Sequence, residues 1–561
     1  TIATENTSYN GYMRSFFHNN EYYLFVFNTY KDVRLVGAPP SSVGKYGGDT
    51  DNWMWPRHTG DFSMFRIYAD AEGNPSDMSP ENVPLTPKHH LPVSLNGVQE
   101  GDFTMVFGFP GSTDRFLTST GIEQAINLFN PTVVEIREQK LAIMKQAMDA
   151  DDAVRIALAS NYASTANYWK YFIGQTEQLK KNRVKAKKET IEATYLNWAN
   201  ADEGRSDYAG ALDLLDEAYS LTDENVKSQV YLQEAGIRGA SLPLYAYRLG
   251  RMLGALESSE ELEDDKLSIL QYAEDHFSEF QPDVDRKLAY ALWSMWMENI
   301  PENQQPAIFA EVRDSMQGDL AALVNEVYDN SVYSSKAALE SWMENMDFES
   351  LSDDMGGRVA TSFIMTYFGV QRGNAEVREK MEKGYRLFTD GLRKAMPEKV
   401  FAPDANSTLR LTWGVVGSYD PQDAVHYDYI TSIDGVMQKE DASNSEFVVP
   451  ERLKTLYNAK DYGQYADENG DLIVNFISNN DITGGNSGSP VINGDGALIG
   501  TAFDGNWEAM SGDIFFEDKL QRTISVDIRY TLFIIDKYAG ASHLIDEMTL
   551  VKKKKRRKRR K

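Results

Sequence analysis

The 561-residue chain contains no cysteine. That excludes a cysteine nucleophile, thiolate metal sites and internal disulfides. It leaves the redox compartment open, because secreted bacterial proteins also do without disulfides. No run approaches the roughly 18 consecutive apolar residues of a membrane-spanning helix, so no membrane span is expected. Positive charge is scarce outside the last ten residues. The formal net charge is −27, and residues 552–561 are all Lys or Arg, so the rest of the chain carries −37. A body that acidic repels phosphate backbones and is not expected to bind nucleic acid. Proline is missing from Thr132 to Leu242 and again from Ala307 to Met396. Since proline costs a helix interior about 3 kcal/mol, two such stretches predict helices throughout. The chain opens Thr1-Ile2-Ala3 with neither an initiator Met nor a signal peptide, which reads as a removed leader or a fragment.

What is present is ordinary for a folded protein: 42% hydrophobic and 25% charged residues decide against wholesale disorder. At about 150 residues per domain, the length predicts three or four domains. Residues 1–115 carry short strand-like runs, Tyr22–Asn28, Asp61–Tyr68 and Phe103–Phe109, between turn clusters. Residues 116–400 are helical in texture, with Ile136, Leu141, Met144 and Met148 at helical spacing. Residues 401–551 return to strands. There Leu409, Leu411 and Trp413 alternate with Thr408, Arg410 and Thr412 as on a half-buried strand. Asn493-Gly494-Asp495-Gly496 between two apolar pairs predicts a hairpin. The tail 552–561 reads as a solvated, disordered or appended run, with a polyanion-binding arm as the alternative.

Three segments carry chemistry. Gly484-Gly485-Asn486-Ser487-Gly488-Ser489-Pro490 precedes an apolar strand. A serine nucleophile has to project from a tight turn with bare backbone around it, so that nearby N–H groups can face a developing oxyanion. A plain Gly-Ser turn is the competing reading. The run from Gly47 to Asp61 packs Trp53, Trp55, Arg57, His58 and three carboxylates into 15 residues. Asp61 there opens the strand Phe62–Tyr68 and could orient a histidine, or could simply cap a turn. A metal held by His58 and Asp61, or by His89 and His90, lacks any further ligand spacing. The third segment is Gly500-Thr501-Ala502-Phe503-Asp504-Gly505-Asn506-Trp507, a strand end carrying a carboxylate or an Asp-Gly turn.

Together with Gly37-Ala38-Pro39-Pro40-Ser41-Ser42, these segments resemble the bacterial serine dipeptidyl-peptidases of serine peptidase family forty-six, in the chymotrypsin clan, over residues 1 to about 551. The resemblance implies a chymotrypsin-like double β-barrel with a large inserted α-helical cap. It also implies a homodimer in the periplasm or at the surface of a Gram-negative bacterium. The implied activity is release of dipeptides from peptides with a free N-terminus, with no metal and no organic cofactor. By position, Ser487 matches the nucleophile and Asp61 the triad aspartate, and the N–H groups of Gly485 and Ser487 match the oxyanion hole. Asn52, Trp53, Asn167 and Asp504 match the residues that hold the substrate's amino terminus. A buried ammonium needs a carboxylate and hydrogen-bond acceptors, which side chains of these types supply. Gly505 stands where members selective for acidic residues carry Arg, which implies an uncharged pocket and a hydrophobic penultimate residue.

One departure bears on activity. The family's histidine base comes from an Asn-His-His-Cys-type segment that this sequence does not contain. His18, 43 residues before Asp61, sits in no matching motif. The expectation is that the chain by itself is inactive or nearly so, and that an incomplete barrel exposes apolar faces. A peptide-binding protein that keeps the amine site, or an endopeptidase of the same clan, are the alternative readings.

Overall fold

The structure is a computed structural model, and it describes residues 5, 7 and 9–552; the remainder of the basic tail, 553–561, lies outside the described residues. The chain divides into two units, one of Thr1–Leu117 with Leu392–Lys561 and one of Thr118–Gly391. Strands occupy the first and helices fill the second.

In the first unit, β1 (Asn10–Phe16) and β2 (Glu21–Phe27) form a hairpin registered Phe16 to Glu21. A three-stranded sheet joins β3 (Val33–Gly37), β4 (Met64–Ala69) and β5 (Val83–Pro84). Next along the chain come β6 (Val93–Ser94), β7 (Phe103–Gly108), β8 (Arg410–Val415), β9 (Tyr419–Gln422), β10 (Val425–Tyr427) and β11 (Ile430–Ser432). The strands end with β12 (Ile473–Ser478), β13 (Pro490–Asn493), β14 (Leu498–Gly505), β15 (Thr523–Asp527) and β16 (Leu550–Val551). β9 and β10 pair with each other, while nine strands form one sheet in the order β11-β12-β15-β14-β13-β7-β8, with β6 pairing β14 and β16. The protein is therefore mixed α/β with several sheets.

A double barrel is expected from the resemblance, but among the described residues no sheet closes. The large sheet curls until β8 meets β12, but only through the single bridge Val416–Ser478. The ladder stops because a side chain takes the next donor: Val415 N–H donates to Asn479 Oδ1 at 2.7 Å. Inside the curl Val106, Phe476, Val491, Ile499 and Ala502 pack in one apolar cluster.

The expected hairpin is in place, with Val491 opposite Gly500 and the Asn493 side chain accepting from the Asp495 and Ala497 N–H groups. β8 alternates as expected but with its faces exchanged. Leu411 and Trp413 are 46% and 68% exposed. The inner face is polar instead, since Thr412 Oγ1 accepts from Asp481 N–H and the Thr412 carbonyl from the Asn480 amide. β2, β3 and β4 likewise expose Tyr22, Leu24, Leu35 and Phe65.

The second unit is helical as the missing prolines predict, and includes Asn130–Ala150, Asp152–Lys181, Ala211–Tyr231, Met355–Gly373 and most of Ala375–Ala395. Ile136, Leu141 and Met144 are buried on the first of these. Pro243 and Pro282 sit in first turns, where a missing N–H is harmless. Trp293, Trp296, Phe309 and Phe363 form the aromatic centre of the core. Among the described residues, no helix is long and apolar enough to cross a membrane.

Candidate active site

Ser487 sits on the turn that leads into β13. Gly485 (φ +101°) and Gly488 (φ +86°) are both left-handed, a conformation cheap only for glycine. At Gly485 space forbids a side chain as well, because a Cβ would collide with the Phe109 carbonyl. The turn is anchored by Gly111 N–H donating to the Gly484 carbonyl at 2.7 Å and Gly488 N–H to the Ala502 carbonyl at 2.8 Å. Ser487 is exposed, and its hydroxyl donates to the Phe503 carbonyl at 3.3 Å. The N–H groups of Gly485 and Ser487 donate to no acceptor among the described residues. A turn that presents a hydroxyl together with two unused backbone donors can attack a carbonyl and hold the resulting oxyanion.

Phe503 and Asp504 are consecutive on β14, where the pairing with β15 jumps from Ala502–Ser525 to Asp504–Ile524. Phe503 is thus the extra residue of a bulge, a device that re-aims the following side chain. Asp504 Oδ2 accepts from Arg57 Nη1 at 2.6 Å and from Trp53 N–H at 3.2 Å, and Oδ1 accepts from its neighbour's Gly505 N–H at 2.9 Å. Its side chain is 9% exposed.

The loop that carries Asn52 and brings the Trp53 N–H to this carboxylate is fastened along its length. Glu446 accepts from Asp49 N–H and Thr50 Oγ1, and Lys439 Nζ donates to Asp51 Oδ2 at 2.8 Å and to the Pro56 carbonyl at 3.1 Å. Trp53 has φ +63°, unusual for so large a residue. Such strain persists only where surrounding contacts over-determine it, as these do. Trp55 is buried against Tyr419, Ile477 and Ile524 and donates to the Asp428 carbonyl at 2.9 Å.

Gly505 is buried; a Cβ there would lie 3.1 Å from Ala509 Cβ and 3.5 Å from the Trp53 ring. The two arginines of this region are both engaged. Arg57 pairs with Asp504, and Arg522 donates to the carbonyls of Gly417, Ser418, Asp518 and Gln521.

Asp61 lies just before β4, which begins three residues later than the sequence pattern suggested. It keeps an exposed face, yet the protein packed about it raises its carboxyl above the ordinary range; Arg57 opposes this and Asp504 reinforces it. Among the described residues it makes no hydrogen bond. No described histidine bonds to Asp61 or Ser487. His18 faces Asp404 at 3.5 Å. His58 is buried with Nδ1 unbonded, its ring against Gly435. Burial, with Lys439 nearby, pushes it down to about 3. His426 pairs with Asp420, and His90 contacts Thr549. Among the described residues no group of three or more His, Cys, Asp or Glu side chains could hold a metal ion. Asn167 belongs to the helical unit, on Asp152–Lys181.

Arg57 is the functional residue that sequence reasoning left without a role. Its density of charged and aromatic neighbours was visible, but its partner lies 447 residues away.

An exposed hydroxyl beside two unused backbone donors is what the nucleophile turn of a serine-type peptidase requires. A model of the family described as Peptidase S46 matches residues 2–550. A relative named dipeptidyl-peptidase 7 from Phocaeicola vulgatus is 44% identical over 96% of this chain and 75% of its own length. An Asp/Glu-specific dipeptidyl-peptidase from Flavobacterium psychrophilum is 40% identical over 97% of this chain and 76% of its own. A crystal structure of Porphyromonas endodontalis DPP11 in complex with the dipeptide Arg-Glu superposes with a TM-score of 0.91 at 37% identity, covering 97% of this chain and 78% of that one. The chain belongs to the Peptidase S46 family, and with it to the serine-type dipeptidyl-peptidases, which are hydrolases.

Proposed function

We propose that this enzyme removes dipeptides from the free N-terminus of peptides, with Ser487 as nucleophile, Asp61 as the triad carboxylate and the N–H groups of Gly485 and Ser487 as the oxyanion hole. Asn52, Trp53 and Asp504 hold the substrate's ammonium, and the resemblance gives Asn167 the same task. One observation carries the reading: Ser487 Oγ is bonded to the carbonyl of Phe503, and the next residue of the same strand is the buried carboxylate Asp504. Nucleophile and amine partner are thus tied to adjacent positions of β14. An extended dipeptide spans only about 7 Å, so a cleavage site set two residues from an anchored ammonium needs such closeness. In the attack, Ser487 Oγ leaves the Phe503 carbonyl and bonds the scissile carbon, and charge builds on the scissile oxygen where the two N–H groups wait. The family's histidine, which would take the hydroxyl proton, is not among the described residues, and the inactivity expected of the chain by itself draws no support from relatives named as dipeptidyl-peptidases.

The finer reading of Gly505 is a hydrophobic penultimate residue. An acidic side chain buried there would need a cation, and both nearby arginines are already spent on other partners. The competing preference, for Asp or Glu, rests on the relatives named Asp/Glu-specific. The same proposal includes the curled sheet as one barrel of the chymotrypsin type, and a homodimer in the periplasm or at the cell surface.

N-terminal acetylation of a peptide substrate tests the reading. Cleavage is expected to fall by at least about 100-fold when the ammonium is lost, because the acetylated end brings neither the positive charge nor the extra donors that Asp504 can still accept. Equal cleavage of the free and acetylated peptides would make it an endopeptidase. The penultimate preference is read by comparing Leu with Glu at that position in otherwise identical substrates.

A further inference from the structure

We propose that Arg57 is the positioning residue of the amino-terminus site, fixing Asp504 in the orientation that receives a substrate ammonium. The proposal rests on Asp504 being the partner of that ammonium.

Arg57 is 7% exposed, and its guanidinium makes three contacts at once. Nη1 donates to Asp504 Oδ2 at 2.6 Å and to the Asp51 carbonyl at 2.8 Å, while Nε donates to Thr59 Oγ1 at 2.8 Å. The group lies 5.1 Å from the Phe503 ring centre. Its own carbonyl is held by Thr431 Oγ1 at 2.6 Å, and Thr59 is locked to Asn475 at 2.9 Å. The guanidinium is therefore immobile, and it ties the loop bearing Asn52 and Trp53 to β14.

Each oxygen of Asp504 receives at least one donor from the protein and keeps acceptor capacity for a ligand. Three donors from two chain segments define its rotation. A lysine supplies the charge but not the planar fork that reaches Asp504, Asp51 and Thr59 together.

Binding of leucyl-leucine and of N-acetyl-leucyl-leucine to the full chain is compared by calorimetry for the native protein, Arg57→Met and Arg57→Lys. The native protein is expected to favour the free amine. Arg57→Met should cut that preference by about 10- to 100-fold while leaving the weak affinity for the acetylated dipeptide within twofold, and Arg57→Lys should restore part of it. A preference unchanged in Arg57→Met overturns the inference. So does an equal loss of both ligands, which marks a merely structural role. Should Arg57→Met not fold, Arg57→Lys decides alone: a preference lowered about threefold or more supports the assignment, and an unaltered one overturns it. If the native protein binds both dipeptides equally, the reading of Asp504 falls first and this inference with it.

Discussion

On the proposed reading of the site, a single absent side chain, at Gly505, sets what the pocket can accept. Gly505→Arg is expected to move preference toward acidic penultimate residues, measured as the ratio of kcat/KM for Glu against Leu substrates. Because a Cβ at this position meets Ala509 at 3.1 Å, the substitution alone should also cost roughly 1–3 kcal/mol of stability in urea unfolding. Ala509→Gly added to it should recover part of that loss. Asp61 offers a second measurement at this scale. Its carboxyl is raised by burial and further by the Asp504 charge, while Arg57 holds it down. Asp504→Asn removes one upward influence, so carbon NMR should find Asp61 titrating at lower pH than in the native protein. An unchanged titration would place the two carboxylates outside each other's field. The turn that carries Ser487 was legible because Gly485 and Gly488, which need positive φ, leave a local mark, whereas the roles proposed for Asp504 and Gly505 come from the resemblance. The Arg57–Asp504 bond was not legible, since no local pattern links residues so distant in the chain.

Among the elements, the helix Leu262–Phe277 ends in an aromatic stack. His276 lies 3.9 Å from the Tyr245 ring at an 8° tilt, with Phe277 and Phe280 beside it and Nε2 unbonded. Burial pushes its pKa down to about 4. The unfolded imidazole takes a proton near pH 6.5 and the folded one only near 4, so this contribution is complete above about pH 7 and is lost as pH falls between those values. The effect is of the order of 2–3 kcal/mol. His276→Phe should flatten the fall of urea stability between pH 7 and 4.5; a slope identical to the native one would refute it. His58, pushed down to about 3, adds a parallel loss in the strand-built unit. Helix content followed from missing prolines, because their absence acts over whole stretches. The face that β8 turns inward did not: a period of two fixes alternation, and only tertiary partners such as Asn480 choose the side.

For the whole molecule, charge and exposed apolar sheet faces oppose each other. The net charge of −27 opposes unspecific association of copies at neutral pH. Protonation of carboxylates erodes it, so solubility should reach a minimum near pH 5, seen by light scattering, and 1 M salt at pH 7 should promote association by screening. Scattering independent of both would mean that Leu35, Phe65 and Trp413 form no adhesive surface. The strand-built unit also draws on both ends of the chain. β7 is hydrogen-bonded to β8 and β13, and about 390 residues separate β7 from β13. At translation speeds of about 5–20 residues per second, β7 leaves the ribosome some 20–80 s before β13 exists to pair with it. Throughout that interval the strand waits with an open edge while the helical unit is synthesised and folds. The yield of folded protein is therefore expected to improve with faster translation of the helical insert, read as the soluble fraction after expression from synonymous codons.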